Sequence, residues 1–261
     1  MPPHPAARSP FARAGLLLIL ILSSSSAYAI RPFTLVEDGY PEAVGQLELE
    51  NTFEGDFNPR SDSGAKTYSA EHELEYGLLE NFTLRLKGSY LYEDSSQREG
   101  LHFDSFGLEG QLFFSNPNTD PVGLSLIAAV EAGEGSLAFN TIFIVQKDFD
   151  KWVVGYNLAL ETSIDNVFRG AGQATTTTGT LTNAFGLSYV PTPGLKVGGE
   201  LSLDLDFDNW SKHTDTALFA GPVINWIPNN NWWVTAGVDF LVNNTPDAPR
   251  WRAIVVIGYF F

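Results

Sequence analysis

Arg252-Ala-Ile-Val-Val-Ile-Gly-Tyr-Phe-Phe261 closes the chain, and the way its residues alternate decides the fold. Successive side chains of an extended strand point to opposite faces. Trp251, Ala253, Val255, Ile257, Tyr259 and Phe261 therefore share one face, apolar throughout, with aromatics near both ends. Arg252, Ile254, Val256, Gly258 and Phe260 share the other. Such a face packs into the core of a sandwich or meets lipid, and the other strands have to say which.

The segments 67–78 and 82–92 give the clearest answer. Tyr68, Ala70, His72, Leu74, Tyr76 and Leu78 alternate with Ser69, Glu71, Glu73, Glu75 and Gly77, while Phe82, Leu84, Leu86, Gly88, Tyr90 and Tyr92 alternate with Thr83, Arg85, Lys87 and Ser89. A hairpin through Leu79-Glu80-Asn81 sets Leu78 against Phe82, Glu75 against Arg85 and Glu73 against Lys87. Opposite charges paired across strands favour a register by about 0.2–1 kcal/mol, and a one-residue slip would turn them onto the apolar face. So many charges need water or partners, which a soluble core cannot supply. The apolar face is expected outside, against lipid.

The same device of about ten alternating residues recurs near 44–53, 103–114, 122–132, 137–147, 151–162, 180–190, 195–205, 215–226, 232–241 and 250–261. With the hairpin this makes twelve strands, an even number as bacterial barrels require. Short turns are read at 79–81, 115–121, 148–150, 191–194 and 228–231, and longer polar loops at 54–66, 93–102, 163–179, 206–214 and 242–249. The exception is Gly133-Glu-Gly-Ser136, short where a long loop is expected. Long loops on one side and short periplasmic turns on the other form the outer-membrane pattern. Tyr68, Tyr92, Trp152, Tyr189, Trp226, Trp232 and Trp251 fall near strand ends, where interfacial aromatics sit. The fold expected is an all-β, transmembrane, antiparallel up-and-down β-barrel over 44–261, whose last strand pairs with the one near 44–53 beside Val44, Leu47 and Leu49.

Arg8 and Arg13 precede an apolar run from Ala14 to Leu22 and then Ala27-Tyr28-Ala29, so residues 1–29 read as a removed signal peptide. The run is too short to span a bilayer as a helix, which leaves the closed barrel as the spanning structure. With the two leader arginines gone, 15 basic residues become 13 against 31 acidic ones, a formal charge of −18. So acidic a chain is expected to bind nucleic acid poorly, since phosphate contacts need a basic patch. It has no cysteine, hence neither a disulfide framework nor a thiolate metal site.

Ile30-Arg-Pro-Phe-Thr-Leu-Val-Glu-Asp-Gly39 followed by Gly45-Gln-Leu-Glu-Leu-Glu50 is similar to the opening of the "MetA-pathway of phenol degradation" family. Glu75-Tyr-Gly-Leu78, Ser188-Tyr-Val-Pro-Thr-Pro-Gly194, Gly198-Gly-Glu200 and Gly221-Pro222 resemble it too, although the chain departs from the pattern by running on through Tyr40-Pro41 before Gly45. The resemblance implies an outer-membrane barrel passing small, in part aromatic, compounds; it supplies no catalytic residues. The terminal strand likewise resembles the last strand of such barrels, with Tyr259 and Phe261 as its insertion signal.

Alternation turns Glu48, Glu50, Glu71, Glu73, Glu75, Glu109, Glu131, Glu161, Glu200, Asp204 and Asp239 inward with Arg85, Lys87, Lys196 and Arg252. Rings of acidic side chains favour cations in a pore. Twelve strands enclose more space than eight, which side chains fill, and less than a porin, and residues 30–43 are placed to fold inward as a plug. Three enzyme-like or metal-like features weigh less. Ser211, His213 and Asp215 match no nucleophile motif. Asp204, Asp206 and Asp208 begin a calcium-type loop, but Asn209 stands where an EF-hand needs Gly and Asp215 where it needs its bidentate acid. His72 is read on the apolar face, His102 as facing solvent, and Thr175–Thr178 as a flexible loop. No catalytic residue, cofactor or metal is assigned. The expectation is a monomeric channel for small solutes, aromatic compounds or cations, that meets outer-membrane lipids and the barrel-assembly machinery. A non-conducting structural or adhesion barrel is second, and a lipid-active enzyme third.

Overall fold

The computed structural model describes residues 30–96, 99–167 and 174–261, so the expected leader 1–29 lies outside them. The strands are β1 (Leu47–Phe57), β2 (Lys66–Leu79), β3 (Phe82–Asp94), β4 (Glu99–Ser115), β5 (Gly123–Gly133), β6 (Ser136–Phe149), β7 (Trp152–Asp165), β8 (Thr176–Thr192), β9 (Leu195–Asp208), β10 (Lys212–Trp226), β11 (Trp232–Leu241) and β12 (Trp251–Phe260). Each pairs antiparallel with the next, and β12 pairs with β1, which closes a barrel of twelve strands with no open edge. Closure matters physically because every strand then has its backbone groups satisfied on both sides.

The terminal strand closes the barrel as its alternation requires. Tyr259 lies opposite Leu49, and the Phe261 N–H donates to the Leu47 carbonyl at 3.0 Å. Val44 is not among its strand neighbours, because the chain turns at Gly45 (φ 82°) and β1 begins only at Leu47. In the first hairpin Glu75 opposes Arg85 and Glu73 opposes Lys87. Its tip differs from the sequence reading: the register shifts between Gly77 and Leu79, so Leu79 rather than Leu78 faces Phe82. The cause is the incoming chain. The Gly77 N–H donates to the Gln46 carbonyl, and the Gly77 carbonyl accepts from Gly45 N–H. A Cβ on Gly77 would run into the Ala43 carbonyl, so that approach needs glycine.

Most strand ends match the reading at the end of the barrel that carries the short turns. At the opposite, loop end the strands run further than expected. β1 reaches Phe57, β9 reaches Asp208, β10 starts at Lys212 and β8 starts at Thr176, so Thr176–Thr178 belong to a strand rather than a loop. Threonine is β-branched and suits extended backbone, and the ladder continues past the point where the apolar stripe stops.

The wall is inverted relative to a soluble protein. Leu74, Tyr76 and Leu86 are exposed outward, at 38%, 41% and 43%, while Glu73, Glu75 and Arg85 between them are buried inward at 5–6%. The barrel's charge lies inside and its apolar surface outside.

Candidate functional site: the barrel lumen

Strand pairing carries the inward charges into rows around the wall. One row runs Glu48, Glu75, Arg85, Glu109 across β1 to β4, and the next runs Glu50, Glu73, Lys87 and, past Gly107, Glu131. Each of these two rows therefore sets one base, on β3, among three acids. Arg85 lies 2.7 Å from Glu109, 2.9 Å from Glu75 and 3.4 Å from Glu73, and Lys87 lies 3.1 Å from both Glu73 and Glu109 and 3.6 Å from Glu71. Glu131 joins through the Ser105 hydroxyl at 3.2 Å. A third row, at the loop end, runs Asp56, Arg252, Asp239. Arg252 stacks on the Phe219 ring at 3.8 Å and lies 3.9 Å from Asp204. Two of the expected lumen residues stand apart: Glu161 is exposed near the loop end and takes the Ser163 hydroxyl, and Lys196 reaches the Ile30 carbonyl at 3.5 Å.

Residues 30–46 cross this charged interior. Phe33 and Val36 are fully buried with Val153, Ala184 and Val223 of the wall. The wall makes room for them with glycine: a Cβ on Gly186 would lie 2.6 Å from the Phe33 ring, and one on Gly155 would lie 2.7 Å from Val36. Around this apolar seat the segment's backbone is satisfied by wall side chains. Glu200 accepts from Thr34 N–H at 2.7 Å, from the Thr34 hydroxyl at 3.1 Å and from Leu35 N–H at 2.6 Å. The Arg31 carbonyl accepts from Asn225 and Thr235, and the Asp38 carbonyl from Gln111. Gly39 N–H donates to Gln146, and the Tyr40 hydroxyl to Asp148. A segment resting in a barrel by chance would leave its backbone to water; this one finds a partner on strand after strand.

Arg31 and Glu37 extend the charge network into the segment. The Arg31 guanidinium is 3.0 Å from Glu37 and 3.0 Å from Glu50. Burial opposes its charge, but Glu37, Glu50, Glu73 and Glu200 outweigh burial and hold it above its ordinary value. Burial pushes Asp38 up to about 6 against the pull of Arg85, and burial followed by Asp38 pushes Glu42 up to about 7. None of these four groups was among the inward residues read from strand alternation, because the segment that carries them is not a strand.

Above the segment, toward the loop end, lies a cavity of about 460 Å³ with Leu35 on its lining. Asp56, Asp204, Asp206, Asp215 and Asp247 bring five carboxyls to it against the one guanidinium of Arg252, with Thr180, Thr182 and Ser202 between. The connection 242–250 folds back over this vestibule: Thr245 is 4% exposed and bonds the Thr216 carbonyl, as does the Asn243 amide. Asp56 and Asp247 escaped the sequence reading, and Asp206 and Asp215 entered it only as calcium-loop and triad candidates, because they lie where the strands outrun it or on that folded connection.

The arrangement suits passage or holding of small polar solutes more than a reaction. His213 donates to or accepts from Thr216, Asp215 takes the Thr216 N–H, and neither is joined to Ser211, whose hydroxyl bonds the Asp208 carbonyl. Asp204 takes the Ser202 hydroxyl and Asp206 the Thr180 hydroxyl. Among the described residues no three His, Cys, Asp or Glu side chains converge as a metal-binding group. His72 bonds Asn51 at 2.7 Å beside Phe53 and Tyr90 on the outer face, and His102 lies within β4, 3.8 Å from Glu93.

Residues 41–245 match the family described as "Family of unknown function (DUF6662)", so the chain belongs to it. That family is not the phenol-degradation family which the opening residues resemble. No curated protein matches the chain. Among solved structures it is similar to the COG4313 outer membrane channel from Pseudomonas putida F1, at 14% identity and a TM-score of 0.60 over 86% of this chain and 98% of that one. It is also similar to the KdgM porin in complex with disordered oligogalacturonate, at 11% and 0.53 over 82% and 99%. The translocator domain of autotransporter NalP from Neisseria meningitidis matches at 13% and 0.53 over 96% of each chain. These likenesses establish the outer-membrane type of barrel.

Proposed function

We propose that this member of the DUF6662 family is a monomeric outer-membrane channel for small solutes, selective for cationic over anionic ones, with residues 30–43 as its resting plug. The observation that carries the reading is the vestibule of five carboxyls and one guanidinium ending on the buried N-terminal segment. An acidic vestibule raises the local concentration of cations and repels anions. The resemblance of the opening residues adds aromatic compounds to the candidate solutes; the vestibule favours neutral or cationic ones over phenolates. Tyr259 and Phe261, edge to face at 4.9 Å with Phe261 exposed, form the aromatic end by which assembly machinery would take the last strand.

Planar-bilayer recording across a salt gradient tests this. The full mature chain is expected to conduct weakly, with a reversal potential of cationic sign. A chain lacking residues 30–43 is expected to conduct several-fold more with the same sign. Anion selectivity, or silence from both proteins, would overturn the channel and leave a structural barrel whose loops carry the function.

A further inference from the structure

Where the segment meets β1 to β3, acid outnumbers base. Glu37, Asp38 and Glu42 of the segment face Glu48 and Glu50 of β1 and Glu75 of β2 around an internal cavity of about 10 Å³. Arg31 and Arg85 are the cations of its lining, and the Trp233 indole closes it. Glu42 is 3% exposed, and among the described residues its Oε2 has no hydrogen-bond partner. Glu48 is 2% exposed and accepts the Trp233 indole N–H at 2.5 Å. Six carboxyls against two guanidiniums cannot all stay ionised out of water without a further neutraliser. The cavity has room for about one water, and three acids do not converge on a metal-like geometry among the described residues. The neutraliser that fits is the proton.

We propose, on the reading that residues 30–43 plug the lumen, that this carboxyl cluster is a proton-operated latch. With Glu42 and Asp38 protonated, the cluster is close to neutral in its dry surroundings and the segment stays seated. With both ionised, two buried charges sit out of water and Asp38 repels Glu42, so the segment leaves. The other charges facing the cluster are Glu73 and Glu109 of the wall, which share Lys87 at 3.1 Å and keep a net negative charge, Glu200, which holds Thr34 and Leu35, and Lys196 and Asp148, which flank the segment at Ile30 and Tyr40.

The sign follows from linkage. Seated, Asp38 and Glu42 sit at about 6 and about 7; released into water they return to the ordinary carboxylate range. The seated state therefore binds more protons, and seating tightens as pH falls from about 7 toward about 4. Each group contributes at most about a tenfold change per pH unit within its window.

The test is open probability of the full mature chain in bilayers at pH 8.5 and 5.5. It should be about tenfold or more higher at 8.5. The double variant Asp38→Asn with Glu42→Gln should stay closed at both pH values. The chain lacking 30–43 should conduct equally at both. A second measurement follows the segment itself: maleimide labelling of Val36→Cys, relative to the exposed Val44→Cys, should rise from pH 5.5 to 8.5, and this rise should vanish in the double variant. If the deletion conducts no better than the full chain, the plug reading falls. If the deletion opens the pore but the full chain and the double variant share one pH profile, the latch falls and the plug stands.

Discussion

Arg85 is 6% exposed, and Glu109, Glu75, Glu73 and Glu37 all lie within 3.7 Å of its guanidinium. Gln111 accepts from it as well. Removing that one charge leaves buried carboxylates without their counter-ion, whereas removing one carboxylate leaves three. Arg85→Gln is therefore expected to destabilise the barrel by about 3–5 kcal/mol, the usual cost of breaking a buried ion pair from one side. Urea unfolding in lipid vesicles measures it. Glu75→Gln added to that variant should recover part of the loss, since Glu75 pairs with Arg85 whereas Glu73 and Glu109 keep Lys87, and a cost below about 1 kcal/mol would mean that water already solvates the cluster. Half of this constellation was legible beforehand. Glu75 and Arg85 meet because a two-face alternation fixes the hairpin register within a short stretch of chain. Glu109 also alternates inward, but nothing local says that β4 brings it level with Arg85, and Glu37 arrives from a segment with no alternation at all.

Elements were legible to the extent that lipid imposes a period on them. All twelve strands follow from alternation between an apolar and a polar face, and the misjudged ends lie where the apolar stripe stops or thins to one residue, as in Thr176–Gly179 and in Asp206–Asp208 with its lone Phe207. The N-terminal segment obeys no such rule. Its position is written in the wall instead, in Gly155 and Gly186, which lie side by side on β7 and β8 and leave a flat patch under Phe33. A side chain there has no room unless the ring moves. Gly186→Val is thus expected to unseat the segment while the barrel still folds, since a strand tolerates valine well. Single-channel conductance of this variant should approach that of the chain lacking 30–43. An unchanged conductance, with the variant folded, would place the barrier to ions elsewhere in the lumen.

As a whole the molecule is an inside-out protein with two unlike ends. One end gathers the tight turns, such as Glu80-Asn81, together with Leu47 and Phe260; the other gathers the acidic vestibule and the connection 242–250 that covers it. Barrels of this type insert with short turns toward the periplasm. The vestibule should then open to the outside of the cell, so that solutes meet the five carboxyls before the segment. The chain contains no cysteine, so any introduced thiol reports on one place alone. Asp247 is exposed at the vestibule and Asn118 is exposed in the connection between β4 and β5 at the opposite end. A membrane-impermeant maleimide added to intact cells is expected to label Asp247→Cys and to spare Asn118→Cys until the outer membrane is breached. The reverse pattern would turn the barrel over and make the acidic vestibule a periplasmic exit rather than an entrance. Equal labelling of both before the membrane is breached would mean that neither end is shielded, and that the chain does not reside in the outer membrane.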